Sequence, residues 1–151
     1  MLKLSKLTDY AVVLLTHIVR REGVVATAPS LCEATHLPQP TVAKILKMLA
    51  HGGLLNAQRG ASGGYVLARE ARAISIAEII TVMDGPIHLT ECADNDSHEC
   101  QMSNTCAMHG RWNHVNHAIR TALQNVSLYD MALDAPAFAP RLGAKETALR
   151  E

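Results

Sequence analysis

Glycine placement between residues 52 and 64 constrains this chain more than any other feature. Gly52-Gly53 ends a helical pattern that begins at Pro40 and sets Val42, Ile45, Leu46 and Leu49 on one face. Two strand-like pieces follow, Leu54 to Gln58 and Tyr65 to Ala68, joined by the glycine-rich hairpin Arg59-Gly60-Ala61-Ser62-Gly63-Gly64. Two further helices precede this unit. Thr8 as N-cap and Asp9 in the first turn open the first, which is apolar at Ala11, Leu14, Leu15 and Ile18 and ends at Gly23. Thr27 and Pro29 open the second, which runs to about Thr35, and His36-Leu37-Pro38 forms the turn into the third. Three helices followed by a hairpin is the winged form of the helix-turn-helix.

Beyond the hairpin, Ser75-Ile76-Ala77-Glu78 reads as a capping box for a helix to about Met83, closed by Asp84-Gly85-Pro86. Residues 87–104 lack an apolar period and are expected to form a loop. A long helix is predicted from about Thr105 to Asn125, with Trp112, Val115, Ile119, Ala122 and Val126 as an a/d-type seam. A short helix is predicted over Ser127 to Leu133. The Ala/Pro-rich remainder is expected to be disordered. The predicted organisation is a reading domain over 1–85, a loop over 86–104, the long and short helices over 105–133, and a tail over 134–151. With one Phe and one Trp in the whole chain, the core must be aliphatic.

Net charge is zero, yet unevenly spread. Residues 1–85 carry nine Lys/Arg against six acids, and residues 86–134 carry two bases against six acids. The basic part fits a nucleic-acid partner, here double-stranded DNA, and the acidic part a different role. No apolar run approaches the ~18 residues of a membrane span, and Met1 to Tyr10 lacks the character of a signal peptide. The expectation is a cytoplasmic protein with no membrane partner. No catalytic acid–base pair or nucleotide loop is evident, so an enzyme is not expected.

In a helix-turn-helix, the N-terminal residues of the second helix reach base edges, which here means Gln39, Pro40, Thr41 and Lys44. Gln39 could pair with adenine, whereas Pro40 offers only van der Waals contact. In the wing, Arg59 fits a narrow minor groove, while the neighbouring glycines, Gly63 among them, let the backbone come close to phosphates, and Ser62 is a further candidate DNA contact. Lys3, Lys6 and Lys47 are candidate phosphate contacts.

The four cysteines divide three and one. Cys32 falls within the short second helix and reads as a buried core thiol. Cys92, Cys100 and Cys106, with His109 three residues later, form C-x7-C-x5-C-x2-H in and beside the polar loop. Cys106 and His109 would share a helix face, with Cys106 at a helix N-terminus where the dipole favours the ligating thiolate. A cytosolic chain has little use for structural disulfides, and three loop thiols pair badly, which leaves a metal or redox sensor. Zinc suits the donor set, and an iron–sulfur cluster suits it equally; spacing does not choose between them.

Several stretches, taken in order, resemble the IscR/NsrR/RirA family of iron–sulfur regulators. They are Leu4 to Val12 (with Thr8-Asp9-Tyr10), the wing Arg59 to Leu67, Ile79 through Asp84-Gly85-Pro86, and the three loop cysteines. The opening and Asp84-Gly85-Pro86-Ile87 are most similar to the branch described as the SUF-system iron–sulfur assembly regulator. The resemblance spans roughly residues 1–133. It implies a mainly α fold with a small β-wing, in which a winged helix-turn-helix is joined to a long dimerisation helix. It further implies a homodimer on a pseudo-palindromic operator, and a cluster on Cys92, Cys100 and Cys106. The fourth ligand would be His109 in a 2Fe–2S branch, or Asp9 supplied by the partner subunit in a 4Fe–4S branch. Thr8-Asp9-Tyr10 stands in the motif of the latter, which favours 4Fe–4S. The gap from Cys92 to Cys100 is longer than the family's usual, and Pro40 and Ala43 replace polar residues, so the operator sequence does not carry over.

Overall fold

The computed structural model describes residues 3–21, 23–90, 93 and 105–133. In chain order it contains α1 (Lys6–Arg20), α2 (Ala28–Thr35), α3 (Gln39–His51), β1 (Leu55–Gln58), β2 (Gly64–Leu67), a 3-10 turn (Ala71–Ala73), α4 (Ile76–Asp84), α5 (Trp112–Gln124) and α6 (Leu128–Ala132). The fold is mainly helical with a two-stranded wing. Cys92, Cys100, most of the predicted loop and the tail from residue 134 lie outside the described residues.

The start of α1 differs from expectation. Ser5, not Thr8, is the N-cap: its hydroxyl accepts the Thr8 N–H at 3.1 Å. Thr8 lies inside the first turn and is fully buried. Both residues carry a capping hydroxyl, and the apolar period places Leu7 and Thr8 inside the helix rather than before it. The second helix follows its signals closely. Thr27 caps α2 in a box with Ser30, and Pro29 sits in its first turn.

α3 buries Val42, Ile45, Leu46 and Leu49, as its period requires. Together with Leu14 and Leu15 of α1, Leu31 of α2 and Ile79 of α4, they form one aliphatic core. Cys32 is partly buried against this core. β1 and β2 pair antiparallel, from Leu55 opposite Leu67 to Gln58 opposite Gly64. Ala26 and Tyr65 exchange two backbone hydrogen bonds of 2.9 and 2.7 Å, fastening the wing to the segment that leads into α2.

The C-terminal part returns to the same core. Ile76 donates its N–H to Val126 O at 2.9 Å, and Leu128 donates to Ile74 O at 2.8 Å. Capping boxes Ser75–Glu78 and Ser127–Asp130 therefore start α4 and α6 side by side. Leu128 is fully buried in the cluster that holds Leu14 and Leu15. Arg69 pairs with Glu78 at 2.8 Å, and the Arg72 guanidinium stacks 3.6 Å above the Tyr129 ring.

The long helix is shorter than predicted. α5 begins at Trp112, and residues 105–111 form turns, with Gly110 at φ +71. That left-handed residue interrupts the helical path, so the seven residues before Trp112 do not join it. Among the described residues, no helix is long and apolar enough to cross a membrane.

Candidate nucleic-acid interface

The turn between α2 and α3 is set by His36, which adopts φ 56 and donates its N–H to Cys32 O at 2.8 Å. A non-glycine residue in this left-handed state ends α2 and turns the chain into Leu37-Pro38. The turn expected at His36-Leu37-Pro38 is present; the left-handed state of His36 is what the sequence did not announce. Pro38 is the N-cap of α3 and supplies no side-chain cap; its carbonyl accepts from Thr41 and Val42. Gln39 and Pro40 are exposed on the first turn of α3, Lys44 is exposed one turn on, and Thr41 is half-buried.

The wing tip runs from Arg59 to Gly63. Gly60 has φ +111, and Gly63 donates its N–H to Gly60 O at 2.9 Å. A Cβ on Gly63 would stand 2.5 Å from Gln58 O and 2.8 Å from Gly60 O, so the tip closes only with glycine there. Arg59 and Ser62 are exposed on this tight loop. Lys3, Lys6 and Lys47 are exposed as well. Among the described residues, no carboxylate pairs with Lys3, Lys6, Lys44, Lys47 or Arg59. Unpaired cations on a helix and an adjacent wing can meet phosphates without first breaking internal ion pairs.

At the root of the cysteine loop, Asp84 at the end of α4 accepts the Ser5 N–H at 3.2 Å. Burial pushes the Asp84 carboxyl up, but hydrogen bonds from Ser5 and Thr8 outweigh it and hold the group below its ordinary value. The sequence marks Asp84 as part of a helix stop and of the motif that carries the resemblance, but nothing in it announces the bond to Ser5. Asp9 is exposed four residues further along α1 than Ser5.

At the far end of the loop, Cys106 is a half-exposed free thiol. His109 donates its backbone N–H to Cys106 O at 3.1 Å, so the two residues bracket a turn. The expected shared helix face and helix-terminal dipole at Cys106 are absent, because Gly110 delays α5. Among the described residues, no three His, Cys, Asp or Glu side chains gather to hold a metal. The accessible Cys106 thiol and the exposed His109 and Asp9 nonetheless supply soft and harder donors of the kind an iron–sulfur centre takes.

α5 exposes Trp112 by 40% and Val115 by 45%, and Ala122 is exposed too, while Ile119 is half-buried. Val126 turns inward and packs on the core. Three of the five expected seam residues, Trp112, Val115 and Ala122, are thus exposed within one chain, and Ile119 and Val126 are half-buried.

Comparison with known proteins accords with this arrangement. The chain is 31% identical over 88 residues to the HTH-type transcriptional regulator IscR of Yersinia pseudotuberculosis; the match covers 58% of this chain and about half (52%) of that protein. The solved structure of CymR, the global cysteine regulator of B. subtilis, superposes with a TM-score of 0.68 at 27% identity, covering 87% of this chain and 97% of that one. T. potens IscR superposes with a TM-score of 0.64 at 27% identity, covering 86% and 85%. The family model described as Rrf2, iron-dependent transcriptional regulator, matches residues 4–134. With its winged helix and its match along nearly the whole described length, the chain belongs to the Rrf2 family of iron-dependent transcriptional regulators.

Proposed function

We propose that this regulator is a homodimer that represses iron–sulfur assembly genes and reads iron–sulfur status through Cys92, Cys100 and Cys106. The fourth donor is the partner subunit's Asp9 or the chain's own His109. The likeness of the opening and of Asp84-Gly85-Pro86-Ile87 to the SUF-system branch supports the choice of target genes. Thr8-Asp9-Tyr10 supports Asp9, and with it a 4Fe–4S centre over 2Fe–2S. When bound, such a cluster supplies an oxidant-labile link among thiolates.

The observation that carries this reading is how the two ends of the loop are held. Asp84 fastens its beginning to the first turn of α1, and Cys106 stands in the turn that leads into α5. Drawing the three thiols together would therefore pull on α1, which packs on the α3 reading helix, and on α5, whose apolar face is open for a second copy. In a dimer these movements reset the spacing of two reading helices, and operator affinity follows. Gln39, Pro40, Thr41 and Lys44 face bases, Arg59 enters the minor groove, the wing tip at Ser62 and Gly63 approaches phosphates, and Lys3 contacts phosphate.

The test is anaerobic purification with visible spectroscopy, iron and sulfide analysis, and operator titration of loaded and stripped protein. The expected result is a brown protein whose iron and operator response both vanish on replacing the three loop cysteines with alanine. Asp9→Ala and His109→Ala distinguish the fourth donor. A colourless protein holding zinc, or responding only to thiol oxidation, would favour the alternative of a zinc or thiol sensor. Equal operator affinity with and without iron and sulfide would defeat the switch.

A further inference from the structure

Behind the wing, on the side of the C-terminal end of α1, lies a cleft of about 490 Å³ that the proposed function does not use. Its floor is aliphatic: Ile18 and Val19 of α1 are buried, and Val66 and Leu67 of β2 are half-buried. The exposed residues along its edge carry both charges, Arg21 and Arg72 against Glu70. Arg72 is already held over the Tyr129 ring at 3.6 Å, which fixes its planar fork before any ligand arrives. Arg21 and Glu70 have no side-chain partner among the described residues. The volume is that of a small-molecule site.

We infer that this cleft binds an α-amino acid with an aliphatic side chain. Its carboxylate would meet Arg72 and Arg21, its ammonium Glu70, and its side chain the floor of Val19, Val66 and Leu67. A purely apolar ligand would use only the floor and a simple carboxylate only the floor and the two arginines, whereas an α-amino acid engages the floor and both signs of charge at the edge. The cleft is also placed to matter. Gln58 and Val66 lie on the strands that carry the wing tip, and Val24 and Val25 lead into the Ala26–Tyr65 fastening. An occupant would bridge α1 to the wing and fix the position of Arg59. This regulatory half rests on the DNA reading above, whereas binding itself does not.

The test is calorimetry on the full chain with leucine, isoleucine, valine and methionine, and with the 2-oxo acids of the first three. At least one amino acid is expected to bind with a Kd below about 1 mM, the weak end of specific association. Glu70→Gln and Arg21→Ala should each weaken it about tenfold. Val24→Trp, at a position 57% exposed and so outside the core, should block it while the melting temperature holds. No binding by any of the four, 2-oxo acids binding as tightly as their amino acids, or unaltered binding to Val24→Trp would overturn the assignment. Saturating amino acid should change operator affinity at least threefold in the parent chain and not in Val24→Trp. Binding without that change would overturn the coupling. A chain that binds the amino acid but no DNA would count against the DNA reading and leave the cleft standing.

Discussion

The backbone N–H of Ser5 donates to the Asp84 carboxylate at 3.2 Å, joining residues 79 positions apart. The cap of α1 and the last residue of α4 thus hold each other at the point where the cysteine loop departs.

This clasp predicts a specific acid limb. Hydrogen bonds hold the Asp84 carboxyl below its usual value of 3.8 against the opposing effect of burial. Hydrogen bonds from Ser75 and the Arg69 charge do the same for Glu78, whose usual value is 4.5. A lowered carboxyl supports folding above its unfolded value, and that support is lost as pH falls through the folded one. Melting temperature should therefore decline from about pH 4.5 downward, and the decline should be shallower in Asp84→Asn with Glu78→Gln. Thermal melts between pH 3 and 7 measure this.

A second prediction concerns the α3–α4 contact. A Cβ on Gly52 would lie 2.5 Å from Val82 Cγ1, although Gly52 itself has an ordinary φ of −76. Gly52→Ala should cost about 1–3 kcal/mol through overpacking. Adding Val82→Ala should recover part of that loss. Urea unfolding of the two single variants and the double variant measures the coupling.

For the nucleic-acid face, Arg59→Ala should weaken operator binding about tenfold or more and lower the salt slope by about 1. Lys44→Ala should weaken binding similarly, whereas Gln39→Ala should chiefly relax base preference. Operator titrations at three salt concentrations, with matched and scrambled duplexes, separate these outcomes.

On α5, Val115→Glu places a charge among Trp112, Ile119 and Ala122 on the partly uncovered face. Val115 is 45% exposed within one chain, so the fold should survive, with a shift in melting temperature of only a few degrees. Sedimentation should show a dimer becoming monomer, and operator affinity should fall at least tenfold, because one reading head loses the other's contribution.

The fold was legible wherever pattern and punctuation agreed. The spacing of Val42, Ile45, Leu46 and Leu49, the glycines at 60–64, and the pair Ser75 and Glu78 each specify one local answer, and the structure contains it. Competing local answers misled the reading. Ser5 and Thr8 both carry capping hydroxyls, and the apolar period that packs Thr8 into the core decides between them. Glycine at 110 tolerates several conformations, so its left-handed state, and the late start of α5, is a tertiary outcome. The positions offered for bases and phosphates are exposed on α3, the wing and the N-terminus, with Thr41 and Gly63 half-buried. Among the three loop thiols, only Cys106 falls within the described residues. The Ser5–Asp84 clasp was not legible, because no local pattern links residues so far apart.

Leu128 has a consequence for anyone who transplants parts between relatives. Because that side chain is buried in the same core cluster as Leu14 and Leu15, and because residues 126–128 hydrogen-bond to residues 74–76, the recognition module ends in sequence long before it ends in space. A chimaera joined just after α4 would bring in a foreign plug for a socket it was not shaped to fill. Exchanges that keep 126–132 native, and swap only what lies between the end of α4 and residue 126, should yield well-folded hybrids.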